Sequence, residues 1–217
     1  MNSIIFIAPP AAGKGTYSKM LTDKYNLAHI STGDLLREAS KQDTEQGRLI
    51  ANIMESGNLV SDDIIYSLIR DRLSKSDCKQ GYILDGFPRN IDQAYAYENI
   101  LKELNKKLGV VIYLDVDKEI CKKRIVGRIS CPQCGAVYNS YIDDAKPINE
   151  GICNHCHSAL VKRNDDNEET FEKRFATYKE MTQPLIDHYN DLGVLYKINT
   201  TGTKEEIFSR IENIVCG

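Results

Sequence analysis

A loop of small residues follows a short apolar run near the start of the chain, and it constrains the fold more than any other feature. Residues 3–7 have the sequence Ser-Ile-Ile-Phe-Ile, and residues 8–16 have Ala-Pro-Pro-Ala-Ala-Gly-Lys-Gly-Thr. This order predicts a buried strand, a tight turn and a helix that begins near Lys14. Backbone N–H groups and the positive helix N-terminus then face one point, where Lys14 adds a cation and Thr16 a hydroxyl. The pattern indicates a site for the polyphosphate of a nucleotide.

The loop departs from the pattern G-x-x-x-x-G-K-[ST] at two places. Ala8 stands where the first glycine belongs, and Gly15 separates Lys14 from Thr16. Because a β carbon crowds a tight turn, we expect Ala8 either to keep a negative φ or to be strained. The alternative to phosphate binding is an ordinary strand-to-helix turn with a solvated lysine.

Size and charge exclude several classes of protein. The 217 residues are enough for one main domain with insertions. With 28 basic and 31 acidic residues and a net charge of −3, the chain has no basic excess for a nucleic-acid backbone. The apolar N-terminal run is too short for a signal peptide, and no run approaches the ~20 residues of a membrane span. We expect a soluble cytoplasmic protein without nucleic-acid or membrane partners.

Runs typical of strands alternate with stretches of helical spacing. The strands are predicted at residues 3–7, 27–30, 81–84, 110–116 and 194–198. The helices are predicted at residues 14–25, 61–75, 90–107, 117–128, 168–191 and 203–215. Ser61, Asp62, Asp63 and Asp117 are candidate N-caps. The alternation predicts an α/β fold with a parallel sheet flanked by helices, and residues 31–60 and 127–167 are expected to be insertions.

Two cysteine pairs with the spacing C-x2-C-x18-C-x2-C predict a structural zinc site. The predicted ligands are Cys131, Cys134, Cys153 and Cys156. Four thiolates complete a tetrahedral site and leave no open position, which favours a structural over a catalytic role. His155 and His157 flank Cys156 and are alternatives to it, although we expect Cys156 to bind. Without a metal the four cysteines would form two disulfides or stay free thiols, and a reducing compartment disfavours the disulfides.

Two further loops end in polar residues where a strand gives way to a helix. One is Ser-Thr-Gly-Asp-Leu-Leu-Arg at residues 31–37, and the other is Leu-Asp-Gly-Phe-Pro-Arg at residues 84–89. Ligands of open α/β sheets bind at the carboxyl ends of the strands, where these loops should meet. Asp85 is placed to hold Mg²⁺ through water, with a helix cap as the alternative.

Arginines near predicted loop ends form the last candidate group. Arg124 and Arg128 are four residues apart and are predicted to share one helix face. We interpret the whole group as a cage for two phosphorylated ligands. Its members are Arg37, Arg89, Arg124, Arg128, Arg163 and Arg174.

Together these motifs resemble adenylate kinases of the long-lid, zinc-bearing bacterial type. The resemblance is carried, in order along the whole chain, by residues 13–16, 31–37, 85–89, 124–128, the four cysteines, 163–166 and 168–170. It implies a P-loop core domain at residues 1–30, 61–126 and 168–217. It also implies a helical AMP-binding insertion at residues 31–60 and a small zinc-bearing β lid at residues 127–167.

The resemblance implies a role for each candidate residue. ATP would contact Ala11, Ala12, Gly13, Lys14, Gly15, Thr16, Arg128, Val137, Tyr138 and Lys204. AMP would contact Thr32, Arg37, Asn58, Leu59, Val60, Gly86, Phe87, Pro88, Arg89, Gln93, Arg163 and Arg174. The catalytic cations would be Lys14, Arg89, Arg124, Arg128, Arg163 and Arg174.

The loop at residues 8–16 is where the chain departs from the family. The family pattern is Gly-x-Pro-Gly-x-Gly-Lys-Gly-Thr, and here Ala8 and Ala11 replace its first two glycines while Pro9 precedes the expected Pro10. The methyl group of Ala11 lies where backbone and phosphate approach closely. We expect an unchanged fold and a loss of ATP affinity.

The implied activity is ATP + AMP ⇌ 2 ADP with Mg²⁺, performed by a monomer that carries structural zinc. Thr32 and Gln93 favour AMP over UMP and CMP. The alternatives are a GTP:AMP phosphotransferase, a pyrimidine monophosphate kinase, a kinase that binds nucleotides without turnover, and a zinc-ribbon nucleotide-binding protein.

Overall fold

Short apolar runs form the strands of a central parallel sheet in this computed structural model, which describes residues 3–56, 58 and 60–217. The strands are β1 (Ile4–Ile7), β2 (Ala28–Ser31), β3 (Tyr82–Asp85), β4 (Val110–Leu114), β5 (Arg128–Ser130), β6 (Val137–Asn139) and β7 (Leu195–Ile198). The central sheet has five parallel strands in the order β2-β3-β1-β4-β7, and β5 and β6 form a separate antiparallel pair. The predicted parallel α/β sheet is therefore confirmed.

Helices connect the strands. They are α1 (Lys14–Tyr25), α2 (Thr32–Ser40), α3 (Glu45–Glu55), α4 (Asp62–Leu73), α5 (Ile91–Glu103), α6 (Lys118–Val126), α7 (Glu168–Asp191) and α8 (Lys204–Cys216). The predicted helices are present with small shifts at their ends. Asp117 caps α6 as predicted, because its carboxylate accepts the N–H groups of Glu119 and Ile120. Ser61 precedes α4 without a side-chain cap.

The sheet separates two apolar clusters. Alternate residues of β1 point to opposite sides, so Ile5 and Ile7 join one cluster and Ile4 and Phe6 the other. The first cluster contains residues of α4 and α5, and the second contains residues of α1, α6 and α8. Helices on both faces explain why β1 is apolar throughout.

The strand register brings the loop ends to one edge of the sheet. Asp85 at the end of β3 pairs with Phe6 of β1 on one side and with Ser31 of β2 on the other. The loops that follow these three strands therefore start side by side. This edge is where the sequence predicts the phosphate sites.

Arg124 and Arg128 do not share a helix face, so that prediction was wrong. Helix α6 ends at Val126, and Arg128 is the first residue of β5. The chain leaves the helix at Gly127, where a β carbon would collide with the Asn139 side chain. The pairing of Arg128 with Asn139 in the β5–β6 hairpin overrides the helical spacing.

Residues 131–156 bring their own small core. Cys131, Ala136, Tyr138 and Cys153 are buried together beside the β5–β6 pair.

Among the described residues, no helix is both long enough and apolar enough to cross a membrane.

The strained residue of the loop after β1 is Ala11, not Ala8. Ala11 has a φ of 59°, in the left-handed region, whereas Ala8 is not among the described residues with positive φ. Gly13, with a φ of 100°, supplies the second left-handed turn before α1. Ala8 is buried against the second apolar cluster, where its methyl group packs favourably. The first missing glycine is therefore tolerated, and the second forces alanine into an unfavourable conformation.

We expect Ala11→Gly to stabilise the protein by about 0.5–1 kcal/mol, because relief of the left-handed strain exceeds the entropy that glycine adds to the unfolded chain. Ala8→Gly is the matched control and is expected to destabilise by about 1–2 kcal/mol, through the lost methyl group and the added entropy. Urea unfolding of both variants measures the difference. Equal destabilisation by the two substitutions would contradict the assignment of strain to Ala11.

Candidate active site

Lys14, the first residue of α1, turns its side chain back over the preceding loop. Its ammonium donates to the carbonyl oxygens of Ala8 at 2.9 Å and Pro9 at 3.2 Å. Burial lowers the pKa of Lys14; the charge of Asp85 opposes that shift, and the charge of Arg89 adds to it. The cation has neutral oxygens as its hydrogen-bond partners, which phosphate oxygens can replace.

Asp85 lies against the start of α1. A β carbon on Gly15 would be 3.6 Å from Asp85 Oδ2, and His29 Nε2 is 3.7 Å from the same oxygen. Burial raises the pKa of Asp85, but His29 and Lys14 outweigh it and hold the pKa below its ordinary value. The carboxylate is therefore ionised beside the phosphate loop, which suits a hard cation.

Thr32 and Gly86 join the loops after β2 and β3. The Thr32 hydroxyl donates to Gly86 O at 2.9 Å, and Arg89 Nε donates to the same carbonyl at 2.8 Å. Gly86 has a φ of 86°, and a β carbon there would lie 2.8 Å from Thr32 Oγ1. Both loops are held close because this position lacks a side chain.

Gln93, in the first turn of α5, is buried with 1% of its surface exposed. Its amide oxygen accepts the backbone N–H of Arg89 at 2.8 Å, and its amide nitrogen donates to Asp62 Oδ1 at 2.7 Å. The side chain is thus fixed between the Arg89 loop and the start of α4.

Three arginines of the predicted cage form ion pairs with nearby aspartates. Arg128 makes a two-point pair with Asp166, whose side chain is fully buried. Arg174 pairs with Asp165 at 2.8 Å, and Arg37 pairs with Asp34 at 2.5 Å. These pairs hold the guanidinium groups in place and offset part of the cost of collecting like charges.

Arg163 differs from its neighbours, since it makes no side-chain hydrogen bond or ion pair within the described ranges 3–56, 58 and 60–217. It is half-buried. Burial lowers the pKa of Arg163, and the charges of Arg37 and Arg128 lower it further. A guanidinium in this situation gains most from an incoming anion.

Arg89 belongs to the same group of charges. The side chain is open to solvent on one side, yet the surrounding cleft lowers the pKa of Arg89 by partial burial. Arg174 and Arg37 lower it further through charge repulsion. Five arginines from different elements therefore form one group, which is called the arginine cluster. Its members are Arg37 of α2, Arg89, Arg128 of β5, Arg163 and Arg174 of α7.

Arg124 and Thr16 lie on the α1 side of the site. Arg124 donates to Ala12 O at 3.3 Å, which ties α6 to the phosphate loop. Thr16 is exposed. Both positions agree with contacts to a ligand held over the start of α1.

Several residues that were predicted to bind nucleotide make their contacts outside the arginine cluster. Val137 is 50% exposed, whereas the Tyr138 hydroxyl points to the cysteines, accepting Asn154 N–H at 2.8 Å. Lys204 is exposed and pairs with Glu205. Val60 and Phe87 are buried in the first apolar cluster. The Asn58 side-chain amide donates a hydrogen bond to the Ser56 hydroxyl. Leu59 lies outside the described residues.

The four predicted cysteine ligands lie together. Their sulfurs are all within 4.8 Å of one another, with 3.4 Å between Cys131 and Cys156 and 3.5 Å between Cys134 and Cys153. The thiols of a tetrahedral zinc site are about 3.8 Å apart. His155 and His157 are not part of this group. The geometry could therefore hold a metal ion on Cys156 rather than on a histidine.

Sequence reasoning missed the acidic partners of the site. Asp165 and Asp166 are two and three residues after Arg163, and Asp34 is three residues before Arg37. Aspartates next to predicted anion-binding arginines were the available signal. The positions of His29 beside Asp85 and of Asp62 beside Gln93 had no signal in the sequence, because each depends on contacts between distant segments.

Comparison with known proteins places this geometry in a family. A family model described as "Adenylate kinase" matches residues 6–194. The chain is 44% identical over 213 residues to an adenylate kinase of Archaeoglobus fulgidus, covering 98% of this chain and 97% of that protein. It is 43% identical to an adenylate kinase of Fervidobacterium nodosum, covering 99% of this chain and 98% of that protein. It is 40% identical to an adenylate kinase of Bacillus cytotoxicus, covering 99% of each chain. With the phosphate loop, the arginine cluster and the full-length match together, the chain belongs to the adenylate kinase family.

Proposed function

We propose that this protein transfers the γ-phosphoryl group of Mg-ATP to AMP and forms two ADP, reversibly. Membership of the adenylate kinase family supports the reaction. The observation that carries it is the convergence of Lys14 and the arginine cluster on one edge of the sheet. Cations in that number match two phosphorylated ligands facing each other.

On the donor side, residues 11–16 would bind the ATP phosphates through backbone N–H groups and Lys14. Arg124 and Arg128 would reach the same phosphates from α6 and β5. Val137, the backbone of Tyr138 and the backbone of Lys204 would contact the adenosine end. The lowered pKa of Lys14 supports this assignment, because a buried cation held by carbonyls gains energy from phosphate.

On the acceptor side, AMP would lie between α2 and the loop after β3. Arg37 and Arg89 would bind its phosphate, while Thr32, Gly86 and Gln93 would face the nucleoside. Asn58, Leu59, Val60, Phe87 and Pro88 would complete the pocket. Arg163 and Arg174 would bind phosphates of both ligands.

Asp85 is the residue that would hold Mg²⁺ through water. Its ionised carboxylate beside Gly15 fits a hard cation. When bound, the ion neutralises charge on the β- and γ-phosphate oxygens.

The chain's own residues would supply alignment and charge neutralisation. No general base is needed, since the second pKa of the AMP phosphate is ~6 and the nucleophile is ionised at neutral pH. Lys14 and the arginine cluster would stabilise charge on the moving phosphoryl group. Water is the competing nucleophile, so we propose that residues 31–60 and 127–167 close over the core before transfer.

We further propose that Cys131, Cys134, Cys153 and Cys156 hold structural zinc. Their sulfur spacing and their free thiol state support it. The ion would keep the small polar segment around β5 and β6 rigid. The free thiols support a cytoplasmic location, and the slight acidic balance disfavours a nucleic-acid partner. We also propose a monomer without membrane partners, which is the state that the family resemblance implies.

The function is tested by measuring ADP formation from Mg-ATP with AMP, UMP, CMP and GMP in parallel, and by repeating the AMP assay with GTP as donor. We expect rapid turnover with ATP and AMP only. Faster reaction with a pyrimidine nucleotide, or with GTP, would replace the proposed substrates. Nucleotide binding without turnover would contradict the proposed activity.

Arg163→Met is expected to lower kcat by about 10²–10³-fold, because it removes a cation that has no partner within the described part of the protein. KM values should change much less, since Arg89 and Arg174 remain. Arg70→Met is the control, because Arg70 forms an exposed ion pair with Glu103 on α5. Steady-state kinetics of both variants measure kcat and KM. Equal losses of kcat in the two variants would contradict the assigned role of Arg163.

Cys153→Ser is expected to abolish zinc binding. It should also raise the rate of proteolysis within residues 127–167 about tenfold, because this segment lacks a large apolar core. Cys216→Ser, in an exposed cysteine outside the group, is expected to keep about one zinc ion per chain. Metal content by atomic absorption and limited proteolysis measure both effects. Zinc-free wild-type protein, purified under reducing conditions, would contradict the proposal.

A further inference from the structure

The orientation of the Gln93 side-chain amide is fixed by two partners of opposite kind. The backbone N–H of Arg89 can only donate, and it meets the amide oxygen at 2.8 Å. The Asp62 carboxylate can only accept, and it meets the amide nitrogen at 2.7 Å. A flipped amide would place N–H against N–H and oxygen against carboxylate. The network therefore assigns one orientation.

The backbone around Gln93 is also fixed. Asn90 caps α5 by accepting the N–H of Gln93 at 2.8 Å. The side chain is only 1% exposed, so bulk water competes little for the amide. Asp62 sits in the first turn of α4, and its carboxylate also faces Tyr66, whose pKa is raised first by burial and then by the Asp62 charge.

The amide has unused capacity. A carbonyl oxygen accepts two hydrogen bonds and an amide nitrogen donates two, and each makes one within the described part of the chain. One donor and one acceptor of this buried amide thus remain for a ligand. Leaving them unpaired costs free energy, so a ligand that pairs with both is favoured.

The remaining donor and acceptor distinguish two kinds of purine. Adenine offers an acceptor at N1 and a donor at its 6-amino group, whereas a 6-oxo purine offers a donor at N1 and an acceptor at O6. An amide free to flip can pair with either pattern, because a flip exchanges its donor and acceptor. An amide held in one orientation pairs with only one of them.

We propose that Asp62 is a specificity-determining positioning residue, which holds the Gln93 amide in the orientation that accepts a 6-amino purine and rejects a 6-oxo purine. The proposal rests on the proposed function, in that Gln93 faces the base of the acceptor nucleotide. Asp62 acts through Gln93 and does not touch the reacting phosphates. Its carboxylate makes the flip costly, since the flipped amide oxygen would face a negative charge.

The test compares AMP with IMP, a 6-oxo purine monophosphate, as acceptors for Asp62→Asn. Asparagine has nearly the same shape but can donate to a flipped Gln93. We expect the ratio of kcat/KM for AMP to kcat/KM for IMP to fall about ten- to a hundredfold. Asp62→Ala is the second variant and is expected to lower the same ratio.

Asp63→Asn is the matched control. Asp63 lies beside Asp62 in α4, is exposed, and has no hydrogen bond to Gln93 among the described residues. It loses the same charge in the same helix turn, and its AMP-to-IMP ratio is expected to stay within about twofold of wild type. An equal change in both asparagine variants would overturn the proposal by showing that helix charge, not amide orientation, is responsible.

Both acceptors are assayed on one protein preparation, so a loss of folded protein lowers both rates and leaves their ratio unchanged. An unchanged ratio in Asp62→Asn and Asp62→Ala would overturn the role of Asp62. Wild-type protein that does not phosphorylate AMP would instead overturn the proposed function. Calorimetric binding of AMP and IMP to the same variants would then test Asp62 separately, with the same shift in the affinity ratio expected and an unchanged ratio counting against the proposal.

Discussion

Repulsion among cations at one edge of the sheet is the constraint on which the rest of the structure depends. Burial and the charges of neighbouring arginines lower the pKa values of Lys14, Arg89 and Arg163, which means that these charges act on each other across a partly desolvated cleft. Aspartates offset part of this cost through ion pairs with Arg37, Arg128 and Arg174. Arg163 makes no side-chain ion pair within the described residues, and Lys14 has carbonyl oxygens as its hydrogen-bond partners, so both cations would gain from the polyphosphate proposed to bind here.

The parallel sheet makes this collection of charges possible. Its strands end at one edge in a fixed register, and apolar clusters on both faces hold them there. Close approach of the loops depends on positions without side chains, such as Gly86, where a β carbon would crowd Thr32. Ala11 is the exception, because an alanine occupies a left-handed position in the same loop system. Stability of the scaffold therefore offsets local strain at the site.

Local patterns predicted much of the fold and indicated a set of candidate site residues. The apolar run before Lys14, the cysteine spacing and the loops at 31–37 and 84–89 depend on neighbours in the chain, and the structure places them as predicted. The prediction for Arg128 was wrong because helical spacing continued past Gly127, while the β5–β6 pairing with Asn139 ended the helix. For Ala8 the sequence leaves a negative φ and strain as alternatives, because a residue pattern does not reveal φ values; the positive φ belongs to Ala11 instead.

By itself, then, the sequence determined the α/β alternation, the small-residue loop before α1 and the cysteine quartet, because each is set by spacing within one segment. It also indicated arginines near loop ends as candidate site residues. Tertiary structure alone decided how those residues are partnered. Asp166 meets Arg128, His29 lies beside Asp85, and Asp62 fixes the amide of Gln93. Such contacts join segments far apart in the chain. Their geometry follows from strand register and helix packing, which no local pattern specifies.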